Sequence, residues 1–296
     1  MLDRESTFAD PAVVEFTKTK TVPVAIDQWN QRRQKDSEGE FYRKIASQGP
    51  RHDFENATTQ GLYMAAPDGT FLGYTNNRDP ERVQKMLTSA LARYQPTETT
   101  QLVAEKIDKR FNLQPPEGGL IVRVCAKVMG GYDEPETQFQ QIFQTSLSRD
   151  NLWITQEEHE ALAAGDFPDR LGLRIAQFHL VDNTRGEPPF WEKSEVALTQ
   201  FAIDGDQITG HVVLKSASGD RTYAASLRGQ LTLTDGKVTQ LNMVANGLFL
   251  GEGPYTGGAP KGPFPLAISF TLADGTDFAD AIPPQAARGW VDGYIR

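Results

Sequence analysis

The chain has 296 residues and one cysteine, Cys125. A single thiol excludes an intramolecular disulfide, a Cys-x-x-Cys pair and any cysteine-rich zinc site within these residues. Histidine is scarce too: His52, His159, His179 and His211 show none of the spacings of a metal pair on a helix. No apolar run approaches the roughly 18 residues of a membrane helix, and the first residues lack the hydrophobic stretch of a signal peptide. Positive charge is in deficit, with 30 Lys+Arg against 39 Asp+Glu and a net charge of -9. That balance argues against nucleic acid or an anionic membrane as a partner. Neither G-x-x-x-x-G-K-[ST] nor G-x-G-x-x-G occurs, so a bound nucleotide has no motif behind it. No cofactor and no metal is implied.

What is present reads as a soluble two-domain protein, with 39% hydrophobic and 23% charged residues. Near the start, Asp10 is placed to cap a helix, Pro11 to occupy its first position, and Val13, Val14 and Phe16 to anchor it. The charged "LDRES" before it reads as the tail of an earlier element. "TVPVAID" (residues 21–27) is a nearly continuous apolar run, expected to be a strand of a parallel sheet, at an edge because of Pro23. "DSEGEFYRKIASQG" predicts a helix with Phe41, Tyr42 and Ile45 on its apolar side. "GLYMAAPDGTFLGYT" predicts a hairpin turning at Pro67-Asp68-Gly69. "DPERVQKMLTSALARY" predicts a helix capped by Asp79, opened by Pro80, and striped with Val83, Met86, Leu87, Ala90, Leu91 and Tyr94.

This order resembles the thioredoxin superfamily with its beginning cut off. Three stretches carry the resemblance: residues 1–27, the hairpin "TTQGLYMAAPDGTFLGYT", and "DPERVQKMLTSAL". The resemblance implies a four-stranded core of order 2-1-3-4 over residues 1–97, in which this chain supplies strands 2, 3 and 4 but no central strand 1. It also implies a W-C-x-x-C motif, or a selenocysteine version of it, just upstream of Met1. Two departures matter. No cysteine stands at the start of the first helix, where the helix dipole would lower its pKa. The cis-proline loop of the family corresponds here to Thr59 and Gln60. A non-proline cis bond costs about 3–4 kcal/mol, so a trans peptide is expected at Gln60. If the central strand is absent, "TVPVAID" and "GLYMAA" should stand about 9–10 Å apart, twice the usual spacing. Val22, Val24 and Ile26 would then face an open slot. If the family's sheet is complete without it, "TVPVAID" should instead pair directly with "GLYMAA".

Residues 98–118 are expected to be a linker with a short helix carrying Val103, Ile107 and Phe111, broken at Pro115 and Pro116. From residue 119 to 296 the texture changes to long strands: "LIVRVCAKV", "EVALTQFAI", "QITGHVVLKS", "RTYAASLRGQLTL", "KVTQLNMVANGLFLG" and "PLAISFTLA". Asp204-Gly205, Ser218-Gly219 and Asp235-Gly236 sit at joints between them, which predicts hairpins. The fold class is therefore α+β. A thioredoxin-like α/β domain precedes an antiparallel β-sandwich or open barrel, with "TQEEHEALAAGDFPDRLGLRIAQFHL" as a helical insertion.

Two loops of the second domain hold candidate chemistry. "FHLVDNTRGEPPFW" gathers His179, Asp182, Asn183, Arg185, Glu187 and Trp191; "GEGPYTGGAPKGPFP" adds Tyr255 and Lys261. They could form an acid–base site or an anion pocket. They could equally be an Asx turn, ion pairs and a tryptophan packed on the sheet. Cys125 reads as a small buried hydrophobe, and "GWVDGYIR" as an anchor that packs Trp290 and Tyr294.

Three functions are compatible with these features. The first is a redox-associated thioredoxin-like protein whose β domain recognises a protein or small-molecule client, inactive in thiol exchange by itself. The second is a non-catalytic binding or scaffold protein. The third is a hydrolase built on His179 to Glu187. The chain as written reads as cytoplasmic, or as exported if an upstream segment carried a signal.

Overall fold

The computed structural model describes residues 5–96 and 107–295. The chain divides into two compact units, residues 3–113 and 114–296. "LDRES" up to residue 4 and the Val103 end of the expected linker helix lie outside the described residues. Around Ile107 and Phe111 the chain forms turns, with no helix.

The first unit is a hairpin held between helices. Helix α1 (Pro11–Lys20) starts as its sequence dictates: the Asp10 carboxylate accepts hydrogen bonds from Ala12 N and Val13 N, and Pro11 takes the first position. Residues 21–27 follow without regular secondary structure, Thr21 and Asp27 at their two ends having extended backbone, then come one helical turn (Gln28–Gln31) and helix α2 (Ser37–Ser47), capped by Asp36. Strands β1 (Leu62–Ala65) and β2 (Phe71–Thr75) are antiparallel, with Leu62 opposite Thr75 and Met64 opposite Gly73. Their turn is closed by Gly69 N–H to Ala66 C=O, and the Asp68 carboxylate holds Thr70 N–H and its hydroxyl. Helix α3 (Pro80–Arg93), capped by Asp79, buries Val83, Leu87 and Ala90.

Side chains alternate across a strand, and this sorts the helices. Leu62 and Met64 pack with Val13 of α1 and Val83, Leu87 and Met86 of α3. Tyr63 points the other way and meets Tyr42 of α2 edge-on, with ring centres 6.1 Å apart. Helices α1 and α3 therefore lie on one face of the hairpin and α2 on the other.

The second unit is a seven-stranded antiparallel sheet curled into a half-barrel. The sheet is built from β3 (Leu120–Val128), β4 (Asp150–Ile154), β5 (Val196–Asp204), β6 (Gln207–Lys215), β7 (Thr222–Thr234), β8 (Lys237–Leu250) and β9 (Phe264–Leu272). Their spatial order is β4-β3-β9-β8-β7-β6-β5. The open-barrel half of the sequence expectation holds and the sandwich half does not, because the described residues of this unit form one sheet, and helices, not a second sheet, pack against it. Strands β5 to β8 form the meander that the glycine joints predict. Asp235 and Gly236 both have positive φ, 51° and 74°, the backbone hand that matches strand twist in a two-residue hairpin. Strand β6 reads exposed–buried in strict alternation, with Ile208, Val212 and Leu214 inside. Between β3 and β5 lie α4 (Gln138–Thr145), α5 (Gln156–Ala163), α6 (Asp169–Arg174) and a π-helical stretch, Ile175–His179. The last helix is α7 (Val291–Ile295). Trp153, Trp191, Tyr223, Phe264 and Phe270 are all but fully buried in the core of this unit.

Candidate functional site: an apolar groove beside a two-stranded sheet

The expected strand at residues 21–27 does not form. A strand needs a partner, and Val22 to Ile26 make no backbone hydrogen bond to the rest of the described residues. Its apolar side chains remain in solvent: Val22 is 88% exposed, Val24 75% and Ile26 45%. On the far side, β1 pairs with β2 alone. Alternate residues of an antiparallel strand direct N–H and C=O away from their partner, so the other edge of β1 is open.

Between these two edges runs a groove of about 1260 Å³. One wall is Val22 to Ile26 and the other is Leu62 to Ala66. Val13, Val83 and Leu87 close it from the α1–α3 side; Phe41 and Ile45 close it from the α2 side. The groove is thus lined by α1, α2, α3 and β1 together with the exposed residues 22–26. Polar functionality is sparse. Lys20, at the C-terminal end of α1, is the charged side chain on the rim, and it has no ion-pair partner among the described residues.

At the entrance to β1, Thr59 is fully buried and Gln60 exposed. The Tyr42 hydroxyl donates to Thr59 Oγ1 (2.6 Å), which donates onward to Gln28 Oε1 (3.0 Å). The Thr59 carbonyl accepts from the Tyr63 hydroxyl at 2.7 Å, and the Gln60 carbonyl from Tyr74 at 2.8 Å. The peptide bond at Gln60 is trans. Burial raises the pKa of both Tyr42 and Tyr63, so these hydroxyls act as fixed donors and not as bases. The loop is thus tied by these hydrogen bonds to α2 and to both strands of the hairpin, next to Gly61, which lines the groove. Lys20, Gln28 and Tyr63 were not singled out by sequence reasoning; only the burial of an aromatic cluster reveals the last two.

No family model matches the sequence, no curated protein matches it, and no solved structure matches it. The groove has therefore to be read from its own chemistry.

The polar loops of the half-barrel do not converge on one concavity. His179 is buried: its Nε2 shares a 2.7 Å hydrogen bond with the Tyr294 hydroxyl, and its Nδ1 lies 3.4 Å from Asp150 Oδ2 without hydrogen-bond geometry. Burial holds the Tyr294 hydroxyl well above its ordinary pKa. Asp182 and Arg185 form a buried ion pair at 2.5 Å. Asp182 also accepts from Thr184 N and Oγ1, which is the Asx turn read in the sequence. Arg185 donates further to Thr256 C=O (3.0 Å) and the Tyr132 hydroxyl (2.8 Å). Trp191 is buried, its indole N–H on Leu180 C=O at 2.8 Å and the Arg221 guanidinium over its ring. Asn183 is buried as well. Glu187 stays at the surface, 3.5 Å from Arg288. Tyr255 is 75% exposed, and Lys261 pairs with Asp133 in solvent. The two loops do touch: an added Cβ at Gly186 would fall 1.9 Å from the Tyr255 carbonyl oxygen.

A second buried pair escaped sequence reasoning. Glu158 and Arg174 are joined at 2.7 and 2.9 Å, with Arg174 also donating to Trp153 C=O, Tyr294 C=O and Ile295 C=O. The carboxylate accepts from Thr155 N at 2.9 Å, completing a capping box. Cys125 lies mid-strand on β3, opposite Ser269. Among the described residues no group of three or more His, Cys, Asp or Glu side chains is placed to hold a metal ion.

Proposed function

We propose that residues 1–97 form a thioredoxin-like domain of unknown client, redox-associated if a Cys-x-x-Cys or selenocysteine motif is missing from this chain, and not redox-active by itself. In this reading the half-barrel recognises a client. The observation that carries it is the groove, mostly apolar and lined both by residues 22–26 and by β1, whose second edge pairs with no strand among the described residues. The layering adds support. The helix before residues 21–27 and the helix after the hairpin share one face, and the intervening helix takes the other. The 296 residues alone have no resolving thiol for Cys125, so dithiol exchange is not expected from them.

The test is the turnover of insulin disulfides by two proteins, the 296-residue chain and a form extended by the in-frame upstream codons. The short form should be silent and the extended form active. An upstream sequence with no cysteine or selenocysteine, or an inert extended protein, would remove the redox reading. The binding or scaffold reading would then stand. That second reading has its own support: the buried polar side chains of "FHLVDNTRGEPPFW" tie loops together, as a scaffold requires. The hydrolase reading is the weakest, since the only histidine in its loop is closed off from solvent.

A further inference from the structure

We infer that the turn Gln28–Gln31 with Arg32, and the loop of residues 57–59 that it grips, bind a phosphate group, with the Arg32 guanidinium as the charged anchor and the Gln28 amide beside it. The inference does not depend on the redox reading. It starts from a buried charge that has no partner. Charged side chains are almost never buried unless they are paired. Arg32, Arg174, Arg185 and Arg221 each expose less than a tenth of their surface. Three of them face a carboxylate: Arg174 that of Glu158 at 2.7 Å, Arg185 that of Asp182 at 2.5 Å, and Arg221 that of Glu195 at 3.6 Å. Arg32 forms no ion pair among the described residues. Its side chain makes one hydrogen bond, from Nη1 to the Ala57 carbonyl oxygen. Its Nε is buried without an acceptor, and its Nη2, also without one, is not sealed from solvent.

A second donor stands beside it. Arg32 N–H bonds to the Gln28 carbonyl at 3.2 Å, so the two residues are one helical turn apart and share a face. Both side chains reach the same loop. Gln28 Oε1 accepts from Thr59 N at 3.2 Å and from Thr59 Oγ1 at 3.0 Å. A backbone N–H can only donate, which fixes the amide oxygen toward Thr59 and leaves the Gln28 NH2 group without a partner among the described residues. Guanidinium and amide donors side by side suit an oxyanion. The local charge favours a dianion. The Arg33 guanidinium lies 3.4 Å from the centre of the Trp29 ring and that of Arg32 5.5 Å from it. Burial, and next the charge of Arg32, hold Arg33 below its ordinary pKa, while Asp27 works against them. A phosphate group, at about −1.5 to −2 near neutral pH, answers such a pair better than a carboxylate does.

Isothermal titration calorimetry on the purified 296-residue chain, with inorganic phosphate at constant ionic strength, tests this. We expect saturable binding of phosphate and none of acetate at the same concentrations. Titration with O-phosphoserine separates the sources. Binding of inorganic phosphate alone assigns the site to the free ion, and binding of both assigns it to the phosphate of a small molecule. Arg32→Met should weaken binding about tenfold or more. In chloride alone the same variant should leave the first unit no less stable, read from hydrogen exchange of the β1–β2 amides, because it removes a buried charge that has no partner. Gln28→Glu places a carboxylate next to Arg32, so it should abolish phosphate binding and stabilise the unit. Absence of saturation, equal affinity in Arg32→Met or in Gln28→Glu, or acetate bound as well as phosphate would each overturn the inference. So would a loss of stability in Arg32→Met in chloride, which would make Arg32 a structural clamp on Ala57.

Discussion

Replacing Val22 and Val24 together by serine should leave the 296-residue chain almost as stable as before. Fully burying a valine contributes about 1.5–3 kcal/mol. Val22 has lost only about an eighth of its exposure and Val24 a quarter, so together they contribute about 1 kcal/mol or less on that scale. In an ordinary internal strand the same pair would contribute about 3–6 kcal/mol. The control is Val83→Ala, which removes a fully buried side chain from the α1–α3 contact and should cost about 2 kcal/mol. Urea unfolding separates the outcomes, provided that the transition of this unit is followed by hydrogen exchange of the β1–β2 amides. A loss above about 2 kcal/mol in the double serine variant would show that the groove is closed in solution. The description of residues 21–27 as an unpaired wall would then fail.

The remaining expectations concern the half-barrel. Glu158→Ala should destabilise it by about 3–5 kcal/mol, because the Arg174 guanidinium would be left buried and unpaired; a calorimetric transition moved by less than a degree or two would refute this. The Asp280 carboxylate, held by Arg123 and Arg149 at 2.7–2.8 Å, has its pKa lowered chiefly by the Arg123 hydrogen bonds, against the opposing effect of burial. Its folded pKa lies below the unfolded one, so its contribution is present above about pH 4 and fades as the pH falls through the folded value. Melting temperatures measured from pH 6 to pH 2 should therefore drop on the acid side in the parent and be flatter in Asp280→Asn. Gly186→Ala should cost about 1–3 kcal/mol by pushing the two polar loops apart, and an unchanged melting curve would contradict the close approach to Tyr255. Cys125→Ser should change neither fold nor any disulfide turnover.

Much of the fold is written locally. Asp10-Pro11 and Asp79-Pro80 fix helix starts through caps that need no tertiary help, and the Asp-Gly and Ser-Gly joints fix the β5–β8 meander. What was misread depended on partners far away in sequence. "TVPVAID" has the composition of a buried strand, yet a strand is a relation between two backbones, and none of the described residues pairs with it. Strand β4 carries "DNLWI" between two helices with no alternation, because Leu152, Trp153 and Ile154 are buried on both faces. The cluster from His179 to Trp191 looked reactive because polar types crowd together there. Their partners Tyr294, Thr256, Tyr132 and Arg221 come from elsewhere in the unit, and only the folded chain shows that they neutralise it. The exposure of Val22, Val24 and Ile26 was legible only as one consequence of an unpaired segment, while Lys20, which lines the same groove, gave no sequence signal.

The position of β3 in the sheet has a consequence for synthesis. It is the first strand of the half-barrel to be made, yet it lies between β4 and β9. Strand β4 arrives soon after it, but Phe264, where β9 starts, is 136 residues beyond Val128. At about 5–20 residues per second the ribosome takes roughly 7–27 s to deliver β9. Throughout that interval one edge of β3, with Val122, Val124 and Ala126 beside it, awaits its neighbour. The meander from β5 to β8 can zip up as it emerges, each strand against the one before. The sheet therefore grows as two separate pieces, and β9 is the seam that joins them. A chaperone acting on this protein during translation would have its longest task at β3, and a ribosome stalled after β8 would hold a sheet in two halves.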